Sequence, residues 1–304
     1  MRGTLCEAKI VDNIYDPDNR VWVVKDGLQT AQKDKTDGYE AYALVVNRKF
    51  DQSSDSATPT ITTTIHINSF WLKDVGKSVI GEVQGVSWTV KPLALDPHVF
   101  IAFLPALRDR LTSLKNITNK SEDEETKTAH LTFLIKFLNT NYAHDIGPIE
   151  SLTQHGQITF NLLWAILVPG VILYTKCAIT REPRAVRLIK AEREIHWRTR
   201  IPFWNLFCRY VDVNRTSSSS DTQFGFAQME LTISEFEGAV PINSLPVYPI
   251  KWYPKVEVVK EQLSDRGKKW STLAGIRHRY YSGIAFRFDE HDRPIKVLVS
   301  IAPF

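Results

Sequence analysis

Only three cysteines occur in the 304 residues, Cys6, Cys177 and Cys208, and no two form a Cys-x-x-Cys pair. That scarcity argues against a disulfide scaffold and a zinc knuckle, and points to a reducing compartment. The opening Met-Arg-Gly-Thr-Leu-Cys-Glu lacks the apolar stretch of a secretory leader. An intracellular protein of the cytoplasm or nucleus is therefore expected, not a secreted one. Sequons at Asn116, Asn119 and Asn214 then carry little weight. Long hydrophobic runs are also missing. The longest, residues 162–174, is interrupted by Pro169-Gly170, and a membrane helix needs about 20 apolar residues. No membrane span is expected there, but a buried helix followed by a buried strand.

Motifs of catalysis are equally scarce. Gly76-Lys77-Ser78 is the only Gly-Lys-Ser, and Trp71 stands where a phosphate-cradling loop requires its first glycine. The segment reads as the interior of a helix. None of the eight histidines belongs to a His-Glu-x-x-His pair. Asp16-x-Asp18 begins like a calcium loop, but Arg20 and Val21 replace a ligand and the required glycine. Gly85-Val86-Ser87-Trp88 breaks the nucleophile-elbow pattern after its serine. The cysteines sit in apolar or aromatic contexts such as Leu206-Phe207-Cys208, which suit buried, unreactive thiols. These residues predict no catalytic, cofactor or metal site, so the chain reads as a non-enzyme.

What is present is an ordinary globular composition. Hydrophobic residues make up 43% and charged residues 24%, which excludes bulk disorder. The length suggests two compact units. Charge is uneven: residues 1–175 carry 17 basic and 20 acidic side chains, and residues 176–304 carry 21 and 14. The second part is therefore basic, which suits a solvated face or an acidic partner.

Three regions follow from the patterning. Residues 1–38 read as an irregular N-terminal arm with one short strand at 21–24. Residues 39–150 read as an α/β subdomain. It holds strands at 39–50 and 60–67, a short helix at 69–80, and helices near 98–115 and 121–143. Pro105 kinks the first of these long helices or moves its start. Ser121 and Glu124 form a capping box at the start of the second. Residues 151–304 read as a β-rich domain. Strands are expected at 171–177, 185–195, 203–213 and 224–233, with a helix after Pro254 stopped by Gly267 and a final hairpin at 284–301. The expected class is α+β: an N-terminal strand pair with a helical insertion, then a mostly antiparallel barrel or sandwich-like unit with one or two flanking helices.

The segment 268–281 interleaves cations with rings: Lys268, Lys269, Arg277, Arg279, Tyr280 and Tyr281. These six are the candidate surface for an anionic partner, because cations hold phosphates and rings stack on bases. The alternative is a strand or turn whose aromatic side chains pack inward under covering arginines.

A set of ordered motifs runs through the β-rich region. Gly156-Gln-Ile-Thr-Phe-Asn-Leu-Leu-Trp164 is followed by Pro169-Gly-Val-Ile-Leu-Tyr-Thr175 and Glu182-Pro-Arg-Ala-Val-Arg-Leu188. Then come Cys208-Arg-Tyr-Val-Asp212, Phe224-Gly-Phe226, Phe236-Glu-Gly238 and Pro241-Ile-Asn-Ser-Leu-Pro-Val-Tyr-Pro249. Arg266-Gly-Lys-Lys269 and Leu273-Ala-Gly275 close the series. Together they resemble the uncharacterised N-terminal domain that precedes the ATPase module in filamentous-fungal AAA-family ATPases. The resemblance implies a non-catalytic binding or regulatory domain whose partners are a protein client, an adaptor or the AAA module. It transfers no catalytic residue, because no position here corresponds to a Walker element or arginine finger. ATP and magnesium would enter only with an AAA module beyond residue 304. One alternative is a nucleic-acid-binding module using 268–281. Another is a part of a full-length ATP-hydrolysing AAA protein.

Overall fold

Twelve residues near the N-terminus form a strand at the middle of a sheet, where an irregular arm was expected. In the computed structural model, which describes residues 3–16, 21–26, 29–31, 39–51, 60–81, 83, 86–90, 93–214, 223–273, 280–289 and 294–301, β1 spans Leu5–Asp16. It pairs antiparallel with β2 (Val21–Asp26) and parallel with β4 (Tyr42–Asp51). The 1–38 arm is thus corrected. Polar residues alternate through β1 without a clean apolar face, and its parallel partner lies too far along the chain for a local pattern to reveal. Asp12 of β1 receives both Nε and Nη2 of Arg48 on β4, at 2.6 and 2.9 Å.

The chain divides into two units: Met1–Leu152 with Trp164–Ile166, and Thr153–Leu163 with Leu167–Phe304. In the first, β3 (Gln29–Ala31), β5 (Thr60–Ile67) and β6 (Leu93–Leu95) complete a six-stranded sheet of order β3-β2-β1-β4-β5-β6. The expected strand pair is its β4–β5 portion. Leu44, Val46, Ile65 and Ile67 bury themselves in one core with the apolar faces of the helices. Helix α1 (Phe70–Ile80) opens on Ser69, whose Oγ accepts from the Leu72 N–H. Gly76 is buried inside it, and a Cβ there would meet the Trp88 ring at 2.6 Å. The Gly-Lys-Ser string is therefore a helix-packing element.

The expected helix near 98–115 is two helices, α2 (Pro97–Ala102) and α3 (Leu104–Lys115), broken at Phe103. Pro105 lies within the first two positions of α3, where its missing N–H costs nothing. Helix α4 (Glu122–Asn141) carries the capping box: Ser121 Oγ accepts from the Glu124 N–H at 3.3 Å, and Glu124 accepts from the Ser121 N–H at 2.9 Å. A further helix, α5 (Ala143–Gln154), forms despite Gly147-Pro148, a pair that ordinarily marks a turn.

The second unit is built on five antiparallel strands in the order β11-β10-β9-β8-β13. They are β8 (Ile172–Lys176), β9 (Pro183–Ile195), β10 (Pro202–Asn214), β11 (Gln223–Ser234) and β13 (Val247–Pro249). The sheet is open, not closed into a barrel. Alternation drives its formation: Val186 and Leu188 on β9, Leu206 and Cys208 on β10 and Leu173 on β8 are buried. A pair of short strands, β7 (Gln157–Thr159) and β12 (Ala239–Pro241), lies apart from this sheet. Between β7 and β8, the apolar run forms a 3-10 helix, Phe160–Ala165, before entering β8. Trp204 fixes it by donating Nε1–H to the Phe160 carbonyl at 3.1 Å.

Helix α6 (Val256–Leu273) continues through Gly267, which therefore does not stop it. Glycine only weakens a helix unless the backbone turns left-handed there. The final hairpin is β14 (Tyr281–Phe288) with β15 (Pro294–Ile301). The whole is a mixed α+β protein, and no described helix is long and apolar enough to cross a membrane.

Candidate functional site

The connection between β8 and β9 is the most chemically specialised part of the second unit. It closes by the Cys177 N–H donating to the Glu182 carbonyl and the Arg181 N–H donating to the Cys177 carbonyl, both at 2.9 Å. Arg181 adopts φ 64°, a left-handed conformation unusual for a residue with a Cβ. This turn curls around the Cys177 sulfur. The Thr180 hydroxyl and N–H, with lesser help from the Ile179 N–H and the Arg184 charge, stabilise its thiolate and lower the pKa to about 7. Cys177 is half-buried and Cys6 is exposed, so the expectation of buried thiols is corrected at both positions. The missed signal was Thr180 three residues on, in a turn that supplies N–H donors. Cys208 does match the expected buried thiol: desolvation pushes it up to about 11. Cys6 is raised by partial burial and by Glu7, and its Sγ donates to the Ala129 carbonyl at 3.7 Å.

Two clefts border this hairpin. The first, about 840 Å³, lies between α6 and the ends of β9, β10 and β11. Phe224 meets Trp270 at 5.6 Å between ring centroids, and the Arg184 guanidinium covers Tyr210 at 5.3 Å. Arg266 donates to the Pro183 carbonyl and lies 3.9 Å from Glu182. Cys177, Val211, Asp212 and Leu263 complete its main surfaces. Next to it Phe226 is 69% exposed, with Arg209 stacked on its ring at 4.7 Å.

The second cleft, about 790 Å³, takes its wall from Tyr174, Tyr248 and Tyr253. Tyr174 lies 5.3 Å from Tyr248 and 4.7 Å from Tyr253. Burial first, then the neighbouring tyrosines, push the Tyr248 hydroxyl up to about 12. Burial and Tyr253 also raise Tyr174. Thr175 Oγ1 donates to the Pro246 carbonyl at 3.1 Å and holds the approach to β13 in place.

The described residues of the candidate anionic surface do not share one element. Lys268 and Lys269 are exposed on the last turns of α6, where helix replaces the expected strand or turn, and Lys268 Nζ lies 3.4 Å from Asp265. Arg277 and Arg279 lie outside the described residues, as do most of the calcium-like positions after Asp16. Tyr280 is exposed, and Tyr281 begins β14. Among the described residues, no group of three or more His, Cys, Asp or Glu side chains could hold a metal ion.

Residues 148–254 match the family model described as a domain of unknown function (DUF7025). The match covers the whole five-stranded sheet and the hairpin between the clefts, and it ends just before α6. No curated protein and no solved structure matches the chain.

Proposed function

We propose that the β-rich unit is a non-catalytic interaction domain of the kind that precedes the ATPase module in fungal AAA-family ATPases. One observation carries this reading: the groove beneath α6 combines aromatic walls with a balanced rim. Glu182 and Asp212 offset Arg184 and Arg266, while Tyr210, Phe224 and Trp270 supply broad apolar surface. Such a surface suits the side chains of a protein segment, because rings bring large contact area at low entropic cost. Exposed Phe226 and Val211, opposite each other on β11 and β10, extend it beyond the groove. The link to AAA proteins rests on the ordered motifs from Gly156 to Leu273, most of which lie in the matched domain.

Titration calorimetry tests both halves of the proposal. The chain is expected to bind a separately produced AAA module of the resembled ATPases, and to give no sustained heat of hydrolysis with ATP and magnesium. Trp270→Asp and Phe226→Asp are expected to abolish the first binding while leaving the circular dichroism spectrum unchanged. Full binding by both variants would remove the groove from the interface, and sustained ATP hydrolysis would overturn the non-catalytic reading.

A further inference from the structure

The tyrosine cleft differs from the groove in having no acidic residue in its lining. Three cations converge on it from separate places: Lys176 at the end of β8, Arg181 in the hairpin, and Lys255 just before α6. None of the three side chains has a hydrogen bond or ion pair among the described residues. Pro254 and Lys255 lead directly into α6, so the positive end of an 18-residue helix adjoins the rim. The one acid in the first turn of that helix, Glu257, is engaged by Lys260 at 2.9 Å. Asn243 adds an amide to the lining, and the tyrosine rings supply an apolar wall.

We infer that this cleft binds a phosphate monoester. A monoester carries between one and two negative charges at neutral pH and has several strong acceptor oxygens. Three uncompensated cations answer that charge, and the planar Arg181 guanidinium can bind two phosphate oxygens at once. The carbon part of the ester rests against the tyrosine wall. A cleft of about 790 Å³ has the volume of a small-molecule site. The same chemistry is presented by a free organic phosphate and by a phosphorylated side chain of a partner. The inference goes beyond the groove beneath α6 and does not depend on it.

Calorimetry on the full chain tests the site with phenyl phosphate, with a phosphoserine peptide and its unphosphorylated twin, and with sulfate. At least one phosphate ester is expected to bind one-to-one, with affinity falling as salt is raised. The unphosphorylated peptide and sulfate are expected to bind at least about tenfold more weakly. Comparable binding of phenyl phosphate and phosphopeptide assigns the site to free esters. A phosphopeptide preference of about tenfold or more assigns it to a partner's side chain.

Arg181→Gly separates binding from folding, because glycine accepts φ 64° without strain while the cation is lost. That variant is expected to lose about tenfold in ester affinity with a Tm no lower than that of the parent. Absence of saturable ester binding, sulfate binding as tight as the esters, or unchanged affinity in Arg181→Gly combined with Lys255→Ala would each overturn the inference.

Discussion

The groove beneath α6 and the tyrosine cleft share one hairpin and are close in volume, about 840 and 790 Å³, yet they are opposite in chemistry. Cys177, Thr180 and Glu182 line the first, while Lys176, Ala178 and Arg181 line the second. Neighbouring residues are thus sorted to different clefts by a short reversal of the chain. The groove sets two acids beside its two arginines, with Glu182 3.9 Å from Arg266, and leaves its aromatic side chains partly exposed. The cleft buries two of its tyrosines and leaves its cations without acidic partners among the described residues. Net charge along the sequence, basic when summed over this half, cannot show that division. What matters is which cations have already found an acid.

The largest expected effect tests whether the tyrosine wall is structural. Tyr174 is 4% exposed and contacts both other rings, so Tyr174→Ala should cost about 3–5 kcal/mol in urea unfolding. Phe224→Ala, at a residue 48% exposed in the groove, should cost roughly 1 kcal/mol or less. Equal costs would erase the contrast between a buried wall and an exposed one.

The thiol offers the next test. Alkylation of Cys177 by iodoacetamide should rise to half its limiting rate near pH 7, while Cys208 stays unreactive in the folded chain until far more alkaline pH. Thr180→Val removes the largest stabilising contact to the thiolate. The Cys177 midpoint should then move up toward 9, and its rate at pH 7 should fall several-fold. An unmoved midpoint would mean that the hairpin does not tune the sulfur.

A smaller effect follows by linkage. Because folding lowers the Cys177 pKa from 9.0 to about 7, its ionisation stabilises the fold fully only above the unfolded value. That contribution declines as pH falls from 9 toward 7 and is absent below. The stability difference between the parent and Cys177→Ala, followed by urea unfolding, should therefore shrink over that window. Smallest of all, Arg181→Gly should gain up to about 1 kcal/mol from relief of its left-handed backbone.

Much of this architecture was legible locally. Strands expected at 203–213 and 224–233 are observed at Pro202–Asn214 and Gln223–Ser234, because branched and aromatic residues there are dense. The capping box at Ser121 and Glu124 was equally readable, since its partners lie three residues apart. Strand β1 and both clefts were not, since each depends on contacts between distant segments. Lys255 and Arg181 are 74 positions apart in the chain, and no spacing rule brings them to one cleft. Cys177 is an intermediate case: its tuning is local, but it depends on backbone N–H groups that a residue pattern shows only through the turn.

Strand β1 has a consequence for how the protein is made. Among the described strands of the sheet it is the link between the β2–β3 pair and the β4–β6 portion. During synthesis β1 emerges before both of its partners and can pair with β2 soon after, but its parallel partner arrives only with residues 42–51. The nascent chain therefore carries a ribbon with one side waiting for its neighbour, and a ribosome pausing within residues 42–51 would prolong the period when that side can pair with another chain.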